Sequence, residues 1–211
     1  MVKLSTISLS CMISISIVTT SLAVPVCQTD PPGQPPTTYQ KWTFDDADNP
    51  ALPELVANSY GMPKAEILGK PDYTFGWYET YNGRTGVWHA EYLSLALTIP
   101  NRQILDGYKE IWVDMVFQGG LDTASVSLIP PGTAVIPLGE TITELENHWK
   151  RLEIGWRLVP NPYSEIVCLG LSGTGGSIDY VIANTICIPE PATFTLFGLG
   201  AVALLNWRKP R

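Results

Sequence analysis

The chain has two histidines, His89 and His148, far apart and in no metal-ligand spacing. Neither lies in an HExxH pattern, and no GxSxG elbow, P-loop or GxGxxG loop occurs. Gly170-Leu171-Ser172-Gly173 lacks the form of a nucleophile elbow and reads as a glycine-rich hairpin. His89, which follows Trp88 at a strand start, reads as a surface or hydrogen-bonded side chain. Carboxylates offer more. Glycoside hydrolysis needs two of them about 5–9.5 Å apart. Glu110 and Asp114 share one face of a strand, but four residues at about 3.3 Å each separate them by roughly 13 Å. A working pair therefore needs a carboxylate from another strand, such as Glu91, Glu153 or Asp179.

Acidic loops have a second use. Asp45, Asp46 and Asp48 follow the first strand and Asp179 lies in the last, so a fold that pairs these edges could gather oxygen ligands for a structural calcium ion. Asp-Asp-x-Asp is no closed loop motif, and a solvated turn is the alternative. Tryptophan gives a further option. Trp112 sits on a mixed face between Glu110 and Asp114, and aromatics flanked by carboxylates can stack on sugar rings while the acids bind hydroxyls. Trp112, Trp88, Glu110 and Asp114 are thus the candidate ligand-binding residues. The competing reading covers each Trp with a loop or a second sheet. By alternation Trp156, Trp42 and Phe44 point into a core.

The elements that position these groups are strands. Leu93, Leu95, Leu97 and Ile99 alternate with Tyr92, Ser94, Ala96 and Thr98. Ile111, Val113, Met115 and Phe117 recur with period two, as do Leu152, Ile154, Trp156 and Leu158. Further strands are expected at 40–45, 73–80, 123–129, 164–171 and 177–188, and one helical turn within 141–149. Turns are expected at Asn82-Gly83, Gly119-Gly120, Pro130-Pro131-Gly132, Pro160-Asn161-Pro162 and Gly173–Gly176. Eight or so strands at this spacing predict an all-β fold, an antiparallel β-sandwich. Trp42-Thr43-Phe44-Asp45-Asp46 and Ser177–Ile182 resemble the first and last strands of carbohydrate-binding jelly rolls, a hint of fold.

Both ends of the 211-residue chain depart from this pattern. Lys3, an apolar stretch from Ile7 to Val18, and small residues at Ser21 and Ala23 form a secretory signal with cleavage after Ala23. Val26 is not the small residue that a lipoprotein site at Cys27 requires. Residues 24–38 form a Pro-rich linker, and the body is expected over 39–188. At the other end Pro189-Glu190-Pro191 leads an apolar run from Ala192 to Leu205, then Arg208-Lys209-Pro210-Arg211. A helix from Ala192 to Asn206 is roughly 22 Å long at about 1.5 Å per residue, against a ~30 Å hydrocarbon core. The basic end suits a stop-transfer element, so an N-terminal signal helix and a C-terminal transmembrane helix, 192–207, flank the sandwich.

This tail resembles the PEP-CTERM sorting signal. The resemblance implies an exported protein handled by an exosortase-type membrane peptidase in exopolysaccharide-making Gram-negative bacteria. It is membrane-tethered before processing and then lies at the cell surface or outside. Pro189, Glu190 and Pro191 carry over as the recognition motif, with Arg208, Lys209 and Arg211 as the basic end. The resemblance covers residues 189–211 and says nothing of the body's activity.

Without Lys3 and the charged tail residues the chain keeps 9 basic and 19 acidic groups, a net of −10. Such a body repels phosphate backbones, which argues against a nucleic-acid partner. Two functions remain open: a non-enzymatic surface or matrix protein, binding exopolysaccharide through an aromatic patch with no cofactor beyond structural calcium, or a glycan-active hydrolase or lyase on the same fold. Export also places the cysteines in an oxidising compartment. Cys11 leaves with the signal, so three remain. If 164–171 and 177–188 form a hairpin, Cys168 faces Val181 and is too far from Cys187 to bridge. The expected bond is Cys27–Cys187, at neighbouring first and last strands, with Cys168 a reduced thiol. The rival outcome leaves all three reduced.

Overall fold

A computed structural model describes residues 37–70, 75–101, 107–129 and 133–189. They form ten strands: β1 (Thr37–Trp42), β2 (Leu55–Ala57), β3 (Lys64–Gly69), β4 (Gly76–Tyr81), β5 (Arg84–Ala90), β6 (Leu93–Pro100), β7 (Gly107–Ile129), β8 (Ala134–Glu144), β9 (Lys150–Val159) and β10 (Ser164–Pro189). A 3-10 turn at Glu146–His148 joins β8 to β9. Every strand pairing is antiparallel, and all ten strands belong to one sheet.

The period-two segments became strands because each presents one apolar face. Leu93, Leu95, Leu97 and Ile99 of β6 are at most 1% exposed, as are Ile111, Val113, Met115 and Phe117 of β7. Burying a side chain of this size stabilises by roughly 1.5–3 kcal/mol. Trp42, Phe44 and Trp156 join them in the core. Asn82-Gly83 makes the β4–β5 turn, with Asn82 at φ 47° and Gly83 at φ 82°. Such left-handed conformations suit Asn and Gly.

The spine of the sheet departs from expectation. Segments 164–171 and 177–188 do not fold back as a hairpin; they run on as one strand, β10. Nor does Gly119-Gly120 end a strand, since β7 passes straight through it. The glycines serve instead as bends inside two long paired strands. Between Ser172↔Gly120 and Ser177↔Gln118 the register slips, with four residues of β10 set against one of β7. Gly119 (φ 101°) and Gly175 (φ 117°) supply backbone shapes that other residues rarely adopt.

This bent spine makes the sandwich. The first half of β10 pairs with β6, its middle with β5 and its last half with β1, while β7 runs along its other edge throughout. Residues from both halves, Leu95 and Val167 on one side and Val113 and Val181 on the other, lie in a single core. The two layers are therefore halves of one curled sheet and not two separate sheets as in a jelly roll. β2, β3, β5 and β8 were not foreseen. β8 is an edge strand paired with β9 alone, exposed along nearly its whole length, so it carries no apolar alternation.

Candidate ligand-binding face

The mixed face of β7 lies on the outside of one half of the sheet, between β9 and β10. The register sets Tyr39, Asn184, Trp112, Gly155 and Gly139 in one row across β1, β10, β7, β9 and β8. Trp112 is half-buried because its ring lies flat on the opposite glycine. A Cβ added to Gly155 would stand 2.6–2.8 Å from Cε3, Cζ3 and Cδ2 of the indole. The missing side chain is the seat of the ring.

Rows of ion pairs flank this seat. On one side Arg157 donates to Glu110 from Nε (3.2 Å) and Nη2 (2.7 Å), and its guanidinium stacks 4.4 Å from the Tyr108 ring. On the other, Arg151 grips Asp114 with two parallel bonds, 3.0 Å to Oδ1 and 2.7 Å to Oδ2, and reaches Glu153 at 3.0 Å. Both guanidinium pKa values are raised, first by the hydrogen bond to the carboxylate and, less strongly, by its charge. Tyr180 adjoins this end, its phenol pushed up by burial and then by the charge of Asp114.

Sequence reasoning grouped Glu110, Trp112 and Asp114 correctly on one face, and the structure brings them together there. It missed Arg151, Arg157 and Gly155. Their alternation on the mixed face of β9 was visible, but the β7–β9 register that places them beside the acids was not. Trp88 is not in this group. It is 5% exposed, stacks on Phe75 at a centroid distance of 5.2 Å, and packs in the core. A separate surface cluster was overlooked: His89 stacks on Tyr81 at 4.6 Å with Tyr78 edge-on at 5.9 Å. Its Nδ1 lies 2.9 Å from Ser177 Oγ, and burial lowers its pKa against a bond to the Gly176 backbone.

The aspartates considered for calcium lie apart in function. Asp46 Oδ1 accepts the Asp48 backbone N–H at 3.0 Å, closing an exposed turn next to the exposed Asp45. Asp179 instead pairs with Arg84 at 2.5 Å, its pKa raised by burial and held back by that arginine. Among the described residues no three His, Cys, Asp or Glu side chains converge as a metal site.

The cysteines follow from the unbroken β10. Cys168 lies opposite Ala96 and Ser125, and Cys187 opposite Lys109, so the Cys168–Val181 pairing does not occur. Cys187 is buried, and burial raises its thiol pKa. Cys27 lies outside the described residues, as do Glu190, Pro191, Arg208, Lys209 and Arg211, the secretory signal and the 192–207 helix; Pro189 ends β10.

Together these observations define an all-β protein whose outer sheet face carries a seated indole between arginine–carboxylate pairs. The family description "PEP-CTERM protein-sorting motif" matches residues 188–211. The chain therefore carries the tail of an exported protein that exosortase sorts to the cell envelope. No curated protein and no solved structure matches it.

Proposed function

We propose that the body is a non-enzymatic component of the cell surface or extracellular matrix that binds exopolysaccharide on the Trp112 face. The observation that carries this reading is the indole lying on Gly155 between Arg157–Glu110 and Arg151–Asp114. A half-buried ring of fixed orientation offers an apolar plane to the C–H face of a sugar. Guanidinium and carboxylate groups beside it can exchange hydrogen bonds with hydroxyls or with acidic sugar substituents. The sorting tail supports the setting, since it sends the chain to the envelope where such polymers lie.

One observation favours a glycan-active enzyme. Asp114 and Glu153 face each other across β7 and β9, and both touch Nη2 of Arg151, at 2.7 and 3.0 Å. Their oxygens thus approach within the range of a catalytic pair. The shared arginine argues the other way, because its Nη2 occupies the space between the two carboxylates where a scissile bond would have to lie. Binding fits the face better.

The test is retention of the purified full chain on a panel of neutral and acidic polysaccharides, with Trp112→Ala beside it. The expected outcome is retention by the native chain and loss by the variant, with urea midpoints that differ little. Retention unaffected by Trp112→Ala removes this face. Shortened oligosaccharides in the incubation would instead favour the enzyme.

A further inference from the structure

The bend in β10 brings both of its termini to one end of the body, the end from which the sorting tail leaves. β10 begins at Ser164, opposite Pro100 and Ile129, and finishes at Pro189, opposite Gly107. Three contacts hold these termini together. The Asn101 backbone N–H bonds Tyr163 O at 3.1 Å, that of Asn161 bonds Gly107 O at 3.1 Å, and Lys109 pairs with Glu165 between the two layers. Asn58 Nδ2 donates to Pro100 O at 3.0 Å and so brings the turn before β3 to the same end. Ala134, opposite Val159, brings the start of β8 there.

The surface of this end differs from the rest of an acidic body. Tyr163 is 63% exposed and Met62 56%, with Val135 and Ile136 exposed on the β8 side. Within three residues of Pro100, Gly107, Val159, Ser164 and Pro189 the described carboxylates are Glu110 and Glu165, and each is paired with a cation. The connecting residues 102–106 add one charge of each sign, Arg102 and Asp106. Lys64, opposite Thr98 and exposed, has no carboxylate partner among the described residues. Exposed acids gather at the far end instead. Glu144 stands opposite Lys150 and Lys150 opposite Phe117, ten residues or roughly 33 Å along β7 from Gly107. Asp45 follows Phe44, whose carbonyl accepts from Trp77 Nε1 on β4, beyond the bend.

We propose that this end of the body rests on the lipid surface while the tail is uncut, with Tyr163 and Met62 among the headgroups and Lys64 facing lipid phosphate. The inference rests on the reading of the apolar run from Ala192 to Leu205 as the segment the bilayer holds, and is independent of polysaccharide binding. Covalent reach supplies the occupant. Ala192 is three residues past Pro189, and three residues span at most about 11 Å. A headgroup layer is roughly 5–8 Å deep, so the end of β10 cannot stand far above it. Tyrosine suits that boundary, having an apolar ring and a polar hydroxyl, and an exposed lysine is drawn to anionic lipid. The acids at the far end then point away from that charge. Trp112, five residues along β7 from Gly107, stays clear of the surface. Docking also holds Pro189-Glu190-Pro191 at the level of the bilayer, where a membrane peptidase meets it.

The full chain, reconstituted through its tail into phosphatidylethanolamine–phosphatidylglycerol vesicles, tests this when part of the lipid carries a photoreactive headgroup. After illumination, mass spectrometry is expected to find lipid adducts on the tail and on the segments around Met62 and Tyr163, and none around Glu144 and Glu146. Tail adducts without adducts at Met62 and Tyr163 overturn the docking, as do adducts spread equally to Glu144 and Glu146. Adducts on neither tail nor body overturn the reading of the tail on which the docking rests. Met62→Glu combined with Tyr163→Glu changes two exposed side chains, and circular dichroism should keep the strand signature. This variant is expected to lose the body adducts and keep those of the tail; adducts that persist around both positions overturn the part given to these side chains. If the variant misfolds, the adduct pattern of the native chain still decides whether this end docks.

Discussion

At the scale of single residues the outer face turns on an absence. Gly155 has no side chain, and Trp112 occupies the space a Cβ would take. Gly155→Ala should therefore push the indole off its seat. Polysaccharide retention is expected to fall as far as in Trp112→Ala, and the forced repacking should cost about 1–3 kcal/mol in urea unfolding. Retention at the native level would show that ring orientation does not matter. His89 gives a prediction of a different kind. Burial lowers its pKa, so the folded protein resists the proton that the unfolded chain accepts. Its contribution to stability is fully present above about pH 6.5 and is lost as pH falls towards the depressed value. Raised carboxyls at Glu165 and Asp179 act with the opposite sign, their contribution being lost as pH rises. The histidine must therefore be isolated by comparison. His89→Gln is expected to lose less stability than the native chain between pH 7 and pH 5.5, and parallel midpoint curves would contradict this.

At the scale of elements, local pattern was legible and long-range pairing was not. The alternation in β6 marks Leu97 as core, and it is fully buried. Leu97→Ala should cost about 2–5 kcal/mol, while Ser94→Ala, exposed on the same strand, should stay within about 0.5 kcal/mol. Equal urea midpoints for the two would dissolve the one-face reading of β6. The long strands were hidden because Gly-Gly and Gly-Thr-Gly-Gly normally end a strand. In β7 and β10 they fall opposite each other, so each excuses the bend of the other and pairing resumes beyond them. No local rule detects that coincidence. The same blindness explains the candidate site: Glu110, Trp112 and Asp114 share a strand and were seen together, whereas Arg151 and Arg157 required the β7–β9 register. Trp88 was misjudged because β5, an unforeseen strand, turns it inward.

At the scale of the whole molecule two parts of the sequence answer to different physics. The body folds by burying one face of a curled sheet around a single core, and its acidic excess repels phosphate backbones. The matched tail, residues 188–211, begins in the last residues of β10, so any pull on the tail is delivered to the strand that holds both halves together. Among the described residues the pairings of β10 run to Pro189, so a truncation that begins at Ala192 spares all of them. Removing Ala192 to Arg211 takes away the apolar run and its basic end while leaving Pro189-Glu190-Pro191 in place. An apolar stretch of that kind is what holds a translocated chain in the bilayer, and basic residues beyond it fix its orientation. The truncated chain should therefore leave the membrane fraction for the periplasm or the medium and escape sorting. Its circular dichroism should keep the strand signature of the full chain. Immunoblots of fractionated cells measure the first outcome, and a truncated protein that stays membrane-bound would mean that something other than this tail retains it.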